Sequence, residues 1–420
     1  MRVLYLSHTG LTEPLGRSQI LPYVLALARH GWEITLLSFE KPETATPEAV
    51  TRTEADLASA GLLWVRFPYR RGATLLHRPL DLVSAFFGAS RVQSVGLVHA
   101  RSTLPGVVAA ALARRLHVPW LFDLRGLLAQ EYVDAGHWSQ QGFLSRITQA
   151  VEIRLLGDAD GVVTLTRRLE REIKSAGLLS ENTPIEVIPC SVDLRAFHPE
   201  REARARVRQD LGLGGEPLLV YSGSLGSWYR PEEMLDFFQI AQRRISGLRF
   251  LFLTPQVTLA NTLVRRRSLE REALVRSADP GEVPAYLAAA DAAICFLAPV
   301  PSKRASSPTK YGEYLATGLP VVLDSWTGDV NLIAHSEAVI TVNGFQDAEF
   351  VAAADTLAQR MRDPEATSRA ARALAEREFR LEDAVERYDR MYRVLTGRRP
   401  DGAPSCPGLS TAGHTKEPAQ

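Results

Sequence analysis

The stretch Ser306-Ser-Pro-Thr-Lys-Tyr-Gly-Glu-Tyr-Leu-Ala-Thr-Gly-Leu-Pro-Val-Val322 decides how the second half of the chain folds. Ser307 is a good helix N-cap, and Pro308 suits the first helical position, where no backbone donor is needed. Gly318 and Pro320 then end the helix and begin a strand. The stretch therefore predicts a helix that leads into a buried strand, which is the repeating unit of a parallel α/β sheet.

Short apolar runs alternate with helical patterns along most of the chain. Nearly continuous apolar runs are typical of strands that are buried on both faces. The predicted strands are 3–7, 33–39, 62–68, 97–100, 120–124, 161–166 and 186–189, followed by 217–222, 248–254, 292–297, 320–324 and 338–342. The clearest helices between and after them are 19–30, which Gly31 closes, 106–117, 142–156 and 381–395. This alternation predicts an α/β fold with two doubly wound, Rossmann-like domains.

Composition shifts divide the chain into five parts. Prolines cluster around a short apolar run between the two series of strands, which indicates a linker. The predicted parts are a first domain over 1–185, a linker over 186–200, a second domain over 201–380, a helix over 381–397 and a tail over 398–420. The helix could return to the first domain, and we expect the tail to be disordered. Two such domains that face each other place the ends of both sheets around one cleft, the default ligand site.

Composition excludes several classes of function. The chain has 420 residues, 45% of them hydrophobic, and 49 Lys and Arg against 48 Asp and Glu leave a net charge of +1. This balance predicts no general attraction to nucleic acid. The three cysteines are too few and too scattered for a disulfide framework or a zinc site. Because no apolar run reaches transmembrane length and the start does not resemble a signal peptide, the sequence predicts a cytoplasmic protein.

The start of the predicted helix after Ser307 carries the clearest chemistry. Thr309 and Lys310 lie in its first turn, where free backbone N–H groups, a hydroxyl and an ammonium converge. A helix start of this kind binds phosphate. Glu313 lies one turn further, where its carboxylate could accept hydrogen bonds from a sugar diol. The alternative is a well-capped surface helix with an ordinary Lys and Glu.

This stretch resembles the E-x7-E region of retaining GT-B glycosyltransferases of family 4, the glycosyl transferases group 1. The second glutamate of that region falls on Glu313, and the "E-(Y/A)-(L/M)-A-x-G-x-P-V-V" pattern is matched. The resemblance implies that Glu313 binds the nucleotide ribose. It also implies that Ser307, Pro308, Thr309 and Lys310 hold the diphosphate. The first glutamate, which contacts the donor sugar in the family, would fall on Ala305.

Other landmarks of the family occur in the expected order. Residues 187–199 are similar to its "VIPNGVDxxxFxP" linker, and residues 279–294 resemble the segment that reads the nucleotide base. Residues 220–226 match the family's glycine-containing loop that follows a strand. This match implies that Gly223 and Ser224 contact the donor. The usual Arg and Lys of that loop fall on Ser224 and near Tyr229. Arg230 and Lys310 are the nearest substitutes.

The first domain matches the family less closely. Gly16 and Arg17 lie where the family has a glycine-rich loop beside the donor phosphates, although an ordinary strand–helix turn is the alternative. Asp123 falls where many members of the family have a histidine in the cleft, and Arg125 follows two residues later. The pair is predicted to be catalytic or, equally, a structural ion pair. Asp158-Ala-Asp160 spells a D-x-D, but it resembles a family turn and predicts no metal site.

The resemblance implies a transferase that moves a sugar from a nucleotide-diphosphate sugar to a saccharide or lipid-linked acceptor. Retention of anomeric configuration, no cofactor and no required metal are also implied, as is a role in polysaccharide or glycoconjugate biosynthesis. The first domain would face the acceptor and the second domain the donor. One alternative is a sugar-nucleotide epimerase, which uses the same fold. The other is an inactive partner subunit, because Ala305, Ser224 and Asp123 depart from the family pattern.

The segment from Arg66 to Arg91 mixes basic residues with aromatic and aliphatic ones. Such a mixture is typical of a surface that docks on an anionic membrane. It predicts peripheral contact with the inner face of the cell membrane. The alternative is a core helix that follows a solvated basic loop.

Overall fold

A computed structural model describes residues 1–69, 77–226 and 228–398. Within these residues the chain forms two parallel β-sheets. The first sheet has the strand order β3-β2-β1-β4-β5-β6-β7. Its strands are β1 Arg2–Ser7, β2 Glu33–Glu40, β3 Leu63–Pro68, β4 Val95–Arg101, β5 Trp120–Leu124, β6 Gly161–Thr164 and β7 Ile185–Val187. The order reverses between β1 and β4, which is the switch point of a doubly wound sheet.

The second sheet repeats this architecture with the strand order β10-β9-β8-β11-β12-β13. Its strands are β8 Leu218–Ser222, β9 Arg249–Leu253, β10 Ala273–Arg276, β11 Ala292–Cys295, β12 Val321–Asp324 and β13 Val339–Val342. All strand pairs of both sheets are parallel. The predicted α/β class with two Rossmann-like domains is therefore confirmed.

Helices cover both faces of each sheet. Those of the first domain are α1 Pro14–Gln19, α2 Leu21–Arg29, α3 Pro47–Ser59, α4 His77–Ala89, α5 Thr103–Leu116, α6 Leu128–Asp134, α7 Phe143–Asp158 and α8 Arg167–Ser175. Those that follow are α9 Arg201–Asp210, α10 Pro231–Gln242, α11 Val257–Arg266, α12 Val283–Ala289, α13 Thr309–Ala316, α14 Val330–Ile333, α15 Asp347–Arg360, α16 Pro364–Glu378 and α17 Leu381–Thr396. A short 3₁₀ helix, Pro301–Ala305, precedes α13.

Apolar strands explain why both sheets are buried. Every residue of β5, β8 and β11 is buried, as continuous apolar runs require. In the second domain, aromatic rings from α10, β9 and α15 pack against this sheet; Phe250 and Phe252 of β9, for example, lie 4.7 Å apart in an edge-to-face arrangement. These rings fill the space between helices and sheet.

The last helix, α17, packs against the first domain. Tyr388, Met391 and Tyr392 of α17 belong to the apolar core around β1 and α2. The Trp32 indole donates a hydrogen bond of 2.7 Å to Asp389. The chain thus passes between the domains twice, once near Val192 and once near Phe379. The two segments are hydrogen-bonded, because the N–H of Val192 donates to the carbonyl of Phe379 at 2.8 Å.

Three sequence predictions differ from the structure. The helix predicted over 19–30 is two helices, because the backbone of Ile20 (φ −127°, ψ −59°) leaves the helical region. The short strand β10 was not predicted. The residues of β7 pair with β6, so the predicted linker over 186–200 begins only after Val187. The predicted disorder of 398–420 falls, apart from Arg398, outside the described residues.

Candidate active site

A cleft with a volume of about 460 Å³ lies between the two sheets. The residues that follow β1, β4 and β5 line it from the first domain. The loop after β8, the end of β11 and the segment before α13 line it from the second domain. Its charged lining consists of Arg101, Arg125, Glu131 and Lys303, with His8 beside them. Three cations against one carboxylate favour an anionic ligand.

The start of α13 forms one wall of this cleft, and Ser306, Ser307, Pro308 and Thr309 line it. The predicted capping arrangement is wrong by one residue. The helix begins at Thr309, and Pro308 is the extended residue before it, with ψ at 127°. The Ser307 hydroxyl does not cap the helix; it accepts a hydrogen bond of 3.2 Å from the N–H of Cys190.

Lys310 is buried behind the cleft wall. Its ammonium lies 3.8 Å from the centroid of the Tyr229 ring and 5.4 Å from that of Tyr221. Burial opposes its charge, but Tyr229 and Cys295 offset burial and leave the pKa of Lys310 above its usual value. The side chain is therefore a charged ammonium at neutral pH. Within the described residues, no carboxylate lies within ion-pair distance of it.

Glu313 lies one helical turn beyond Thr309 and is partly buried. Desolvation by the surrounding protein raises its pKa to about 7, and nearby Lys310 only partly offsets this effect. Its carboxylate makes no hydrogen bond to the described residues. A carboxylate that has no partner in the protein can accept hydrogen bonds from a ligand.

The loop after β8 brings a glycine to Lys310. Gly223 has a φ of +124°, and a Cβ placed there would lie 3.1 Å from the Lys310 ammonium. Only glycine therefore suits this position, for both conformation and space. The Ser224 carbonyl accepts a hydrogen bond from the Tyr221 hydroxyl. Neither Gly223 nor Ser224 lines the cleft surface, although both are next to the Lys310 pocket.

Three further predicted donor-binding residues lie away from both the cleft lining and the Lys310 pocket. Arg230 lies on the exposed start of α10, where its Nε donates to Glu233 at 2.7 Å. The guanidinium of Arg17 contacts α3, 3.4 Å from the Thr53 hydroxyl. Gly16 is buried against Gly10, whose carbonyl oxygen would lie 1.9 Å from a Cβ at Gly16. Its role is close packing of α1 on the preceding loop.

Asp123 and Arg125, predicted as a catalytic or a structural pair, form a buried network with α17. Arg125 Nη1 lies 3.4 Å from Asp123 Oδ1, and the Tyr388 hydroxyl donates to Asp123 Oδ2 at 3.0 Å. Burial would raise the pKa of Asp123, but Arg125 and His99 lower it to about 2. Asp123 does not line the cleft, whereas Arg125 does. This geometry favours the structural alternative for Asp123.

Lys303 is a cleft residue that sequence reasoning missed. It lies on the 3₁₀ helix and is 4% exposed, with its ammonium 3.7 Å from the Trp228 ring centroid and 3.6 Å from Glu131 of α6. Burial lowers the pKa of Lys303 and raises that of Glu131. This ion pair joins the two domains across the cleft. No motif in the sequence indicated it.

Further contacts hold the 3₁₀ helix against the first domain. The N–H of Ser302 donates to Asp134 at 2.7 Å, and Arg304 Nε donates to Glu172 at 2.7 Å. Ala305, in the position of the family's first glutamate, is fully buried in the apolar core around β4 and α5. It therefore offers neither a carboxylate nor an exposed surface to a sugar.

Comparison with known proteins shows which family the first domain is similar to. Residues 17–191 match the family model of the glycosyl transferase 4-like domain. The resemblance to family 4 glycosyltransferases, drawn from motifs of the second domain, is thereby confirmed for the first domain as well.

Relatives and solved structures agree with this assignment to the glycosyltransferases. The chain is 27% identical over 283 residues to the GDP-mannose-dependent alpha-(1-6)-phosphatidylinositol monomannoside mannosyltransferase of Mycolicibacterium smegmatis, across 64% of this chain and 71% of the relative. Its fold is similar to that of sucrose-phosphate synthase from Thermosynechococcus elongatus, with a TM-score of 0.70, 20% identity and coverage of 94% of this chain and 99% of the synthase.

The fold is also similar to that of HepE from Anabaena in complex with UDP and glucose. The TM-score is 0.72 at 16% identity, and the match covers 94% of this chain and all of HepE. At this level of identity the structural matches establish the GT-B fold alone. The family match and the mannosyltransferase relative support a glycosyltransferase, and the solved structures show that its two Rossmann-like domains have the GT-B arrangement.

Proposed function

We propose that this glycosyltransferase moves a sugar from a nucleotide-diphosphate donor to a saccharide or lipid-linked acceptor, with retention of anomeric configuration. One observation carries the proposal: the residues up to Thr309 at the start of α13 line the cleft, and directly behind them lie buried Lys310 and Glu313, whose carboxylate has no hydrogen-bond partner among the described residues. A helix start and an ammonium bind a diphosphate, and a free carboxylate binds a ribose diol. The second domain is then the donor side.

The chemistry needs stabilisation of the leaving group more than a protein nucleophile. As the bond from the anomeric carbon to the diphosphate breaks, negative charge grows on the phosphate oxygen. Lys310 and the positive end of α13 act on that charge from a buried position, where electrostatic interactions are strongest. In a front-face reaction the acceptor hydroxyl attacks on the same side, and its proton passes to the departing phosphate.

The proposed reaction requires no metal ion, because Lys310 and the α13 start supply the positive charge that a cation would otherwise provide. Chelation with EDTA is therefore expected to leave transferase activity unchanged. An activity that EDTA abolishes and magnesium or manganese restores would contradict this part of the proposal.

A nucleotide-sugar hydrolysis assay on the purified protein tests the proposal. The panel includes GDP-mannose, the donor named for the mannosyltransferase relative, and UDP-glucose, since HepE binds UDP and glucose. Slow release of nucleoside diphosphate from one sugar nucleotide, and none from the others, is expected. Conversion of the free sugar nucleotide to an isomer would identify an epimerase, and the absence of any turnover would favour an inactive partner subunit.

Peripheral membrane contact through the segment from Arg66 to Arg91 is a further part of the proposal. Within the described residues, no helix is both long and apolar enough to cross a bilayer. Val83 and Phe87 on α4 are 50% and 62% exposed, and Arg91 is exposed beyond them. Arg66 is paired with Glu54 at 2.8 Å, whereas Arg70 and Arg71 lie outside the described residues. The exposed apolar side chains support docking on a membrane surface, which we propose to be the inner face of the cell membrane.

A further inference from the structure

Arg101 is a buried cation that the mechanism above does not use. It ends β4, is 5% exposed and lines the cleft. Its Nε atom is buried without a hydrogen-bond partner. In the described part of the chain, its side chain has no hydrogen bond and no ion pair. Asp123 is its register partner on β5 and attracts it electrostatically, but that carboxylate makes its close contacts with Arg125, His99 and Tyr388 and not with Arg101.

The helix that follows Arg101 adds positive potential at the same point. The 14-residue helix α5 begins at Thr103, and none of the described side chains caps its N-terminus. Ser102, the residue between, has a φ of +77°, a left-handed conformation that is unusual for serine. The first three residues of the helix, Thr103–Pro105, line the cleft together with Ser102. The positive end of α5 and the guanidinium of Arg101 thus face the same space.

Asp123 attracts Arg101 without contacting it, so a buried guanidinium with unsatisfied donors remains, and this favours the binding of an anionic ligand. A guanidinium presents its donors in a planar fork that matches the two oxygens of a carboxylate or a phosphate. Free N–H groups at a helix start favour the same ligands. The chemistry of this corner of the cleft is therefore recognition of an oxyanion.

The position of Arg101 indicates which substrate carries that oxyanion. Arg101 and α5 belong to the first domain, whereas Lys310 and the α13 start belong to the second. The donor diphosphate is already matched by the second pair. We propose that Arg101 and the start of α5 bind an oxyanion, phosphate or carboxylate, on the acceptor. This inference rests on the proposed function, because it assigns the donor to the opposite wall.

Calorimetric titration of the nucleotide-saturated protein tests the inference. Saturating UDP or GDP fills the donor side, and glycerol 1-phosphate or glucuronate is then titrated, with glycerol and glucose as uncharged controls. Wild type is expected to bind the two anions and not the neutral controls. Arg101→Met should weaken anion binding at least tenfold and leave the affinity for UDP or GDP within twofold. Arg115→Met removes the same charge from the exposed end of α5, roughly 20 Å away, and should change neither.

The outcomes separate the two possible sources of the oxyanion. A tenfold loss of UDP or GDP affinity in Arg101→Met would assign Arg101 to the donor phosphates and overturn the inference. Wild type that binds no anion in the nucleotide-saturated state would also overturn it. The melting temperature of Arg101→Met should not fall, since the variant removes a buried charge that has no ion pair or hydrogen bond to the described residues. A fall together with lost anion binding would make Arg101 a structural residue that stabilises Asp123 and would overturn the inference. Failure of the proposed function itself would appear as wild type that binds neither nucleotide.

Discussion

Donor affinity should depend on pH through Glu313. Its carboxyl has a pKa of about 7 in the free protein because it is desolvated. If only the ionised carboxylate accepts from both ribose hydroxyls, the competent fraction is about 0.9 at pH 8 and about 0.1 at pH 6. The apparent Kd for a nucleotide sugar should therefore rise about tenfold from pH 8 to pH 6, and about thirtyfold by pH 5.5.

Calorimetry with UDP-glucose and GDP-mannose between pH 5.5 and 8.5 measures this dependence, since the phosphodiester oxygens of these donors stay ionised throughout. Glu152 and Asp324 titrate in the same range, with pKa values of about 7 and about 6. Glu313→Gln separates the contributions: it should bind the donor more weakly and show a flat profile. It should also no longer prefer the ribonucleotide to the 2′-deoxy analogue. A variant that keeps both the wild-type slope and the ribose preference would refute the assignment.

Three further changes have definite expected results. Lys310→Met should weaken UDP or GDP binding by about ten- to a hundredfold, which is the contribution of one charge-assisted hydrogen bond to phosphate. The exposed control Lys174→Met should leave the affinity unchanged, and equal calorimetric affinities of both variants would exclude Lys310 from the phosphate site. Gly223→Val should reduce the same affinity at least tenfold, because its side chain meets the Lys310 ammonium at a φ of +124°, and a wild-type isotherm would contradict this. Replacing Phe87 and Arg91 with Ser should release the protein from anionic vesicles in a flotation assay, whereas the control Leu259→Ser on the second domain should not. Equal recovery of the wild type and both variants would mean that α4 is an ordinary surface helix.

Much of the fold could be predicted because its strands are buried on both faces. Such strands are continuous apolar runs, and β5 has the predicted limits. The strand β10, Ala273–Arg276, could not be found in this way because it is a half-buried edge strand. The break at Ile20 was missed because the apolar pattern continues through it.

The grouping of candidate site residues could be predicted where one local segment carries them, and it was missed where the fold assembles them. Thr309, Lys310 and Glu313 are neighbours in sequence, so the helix alone brings them together. The contact of Asp123 with Tyr388 joins residues 265 apart, and the sequence gives no sign of it. The Lys303 pair with Glu131 likewise arises only when the two domains meet around a cleft.

A crystal structure of the complex with UDP or GDP tests the central claim most directly, which is that the start of α13 holds the nucleotide. The diphosphate oxygens should lie within hydrogen-bond distance of the Thr309 and Lys310 N–H groups and of the Lys310 ammonium, with both ribose hydroxyls on Glu313. A nucleotide bound on the wall formed by Arg101 and α5, or one that leaves Glu313 without a contact, would contradict the account.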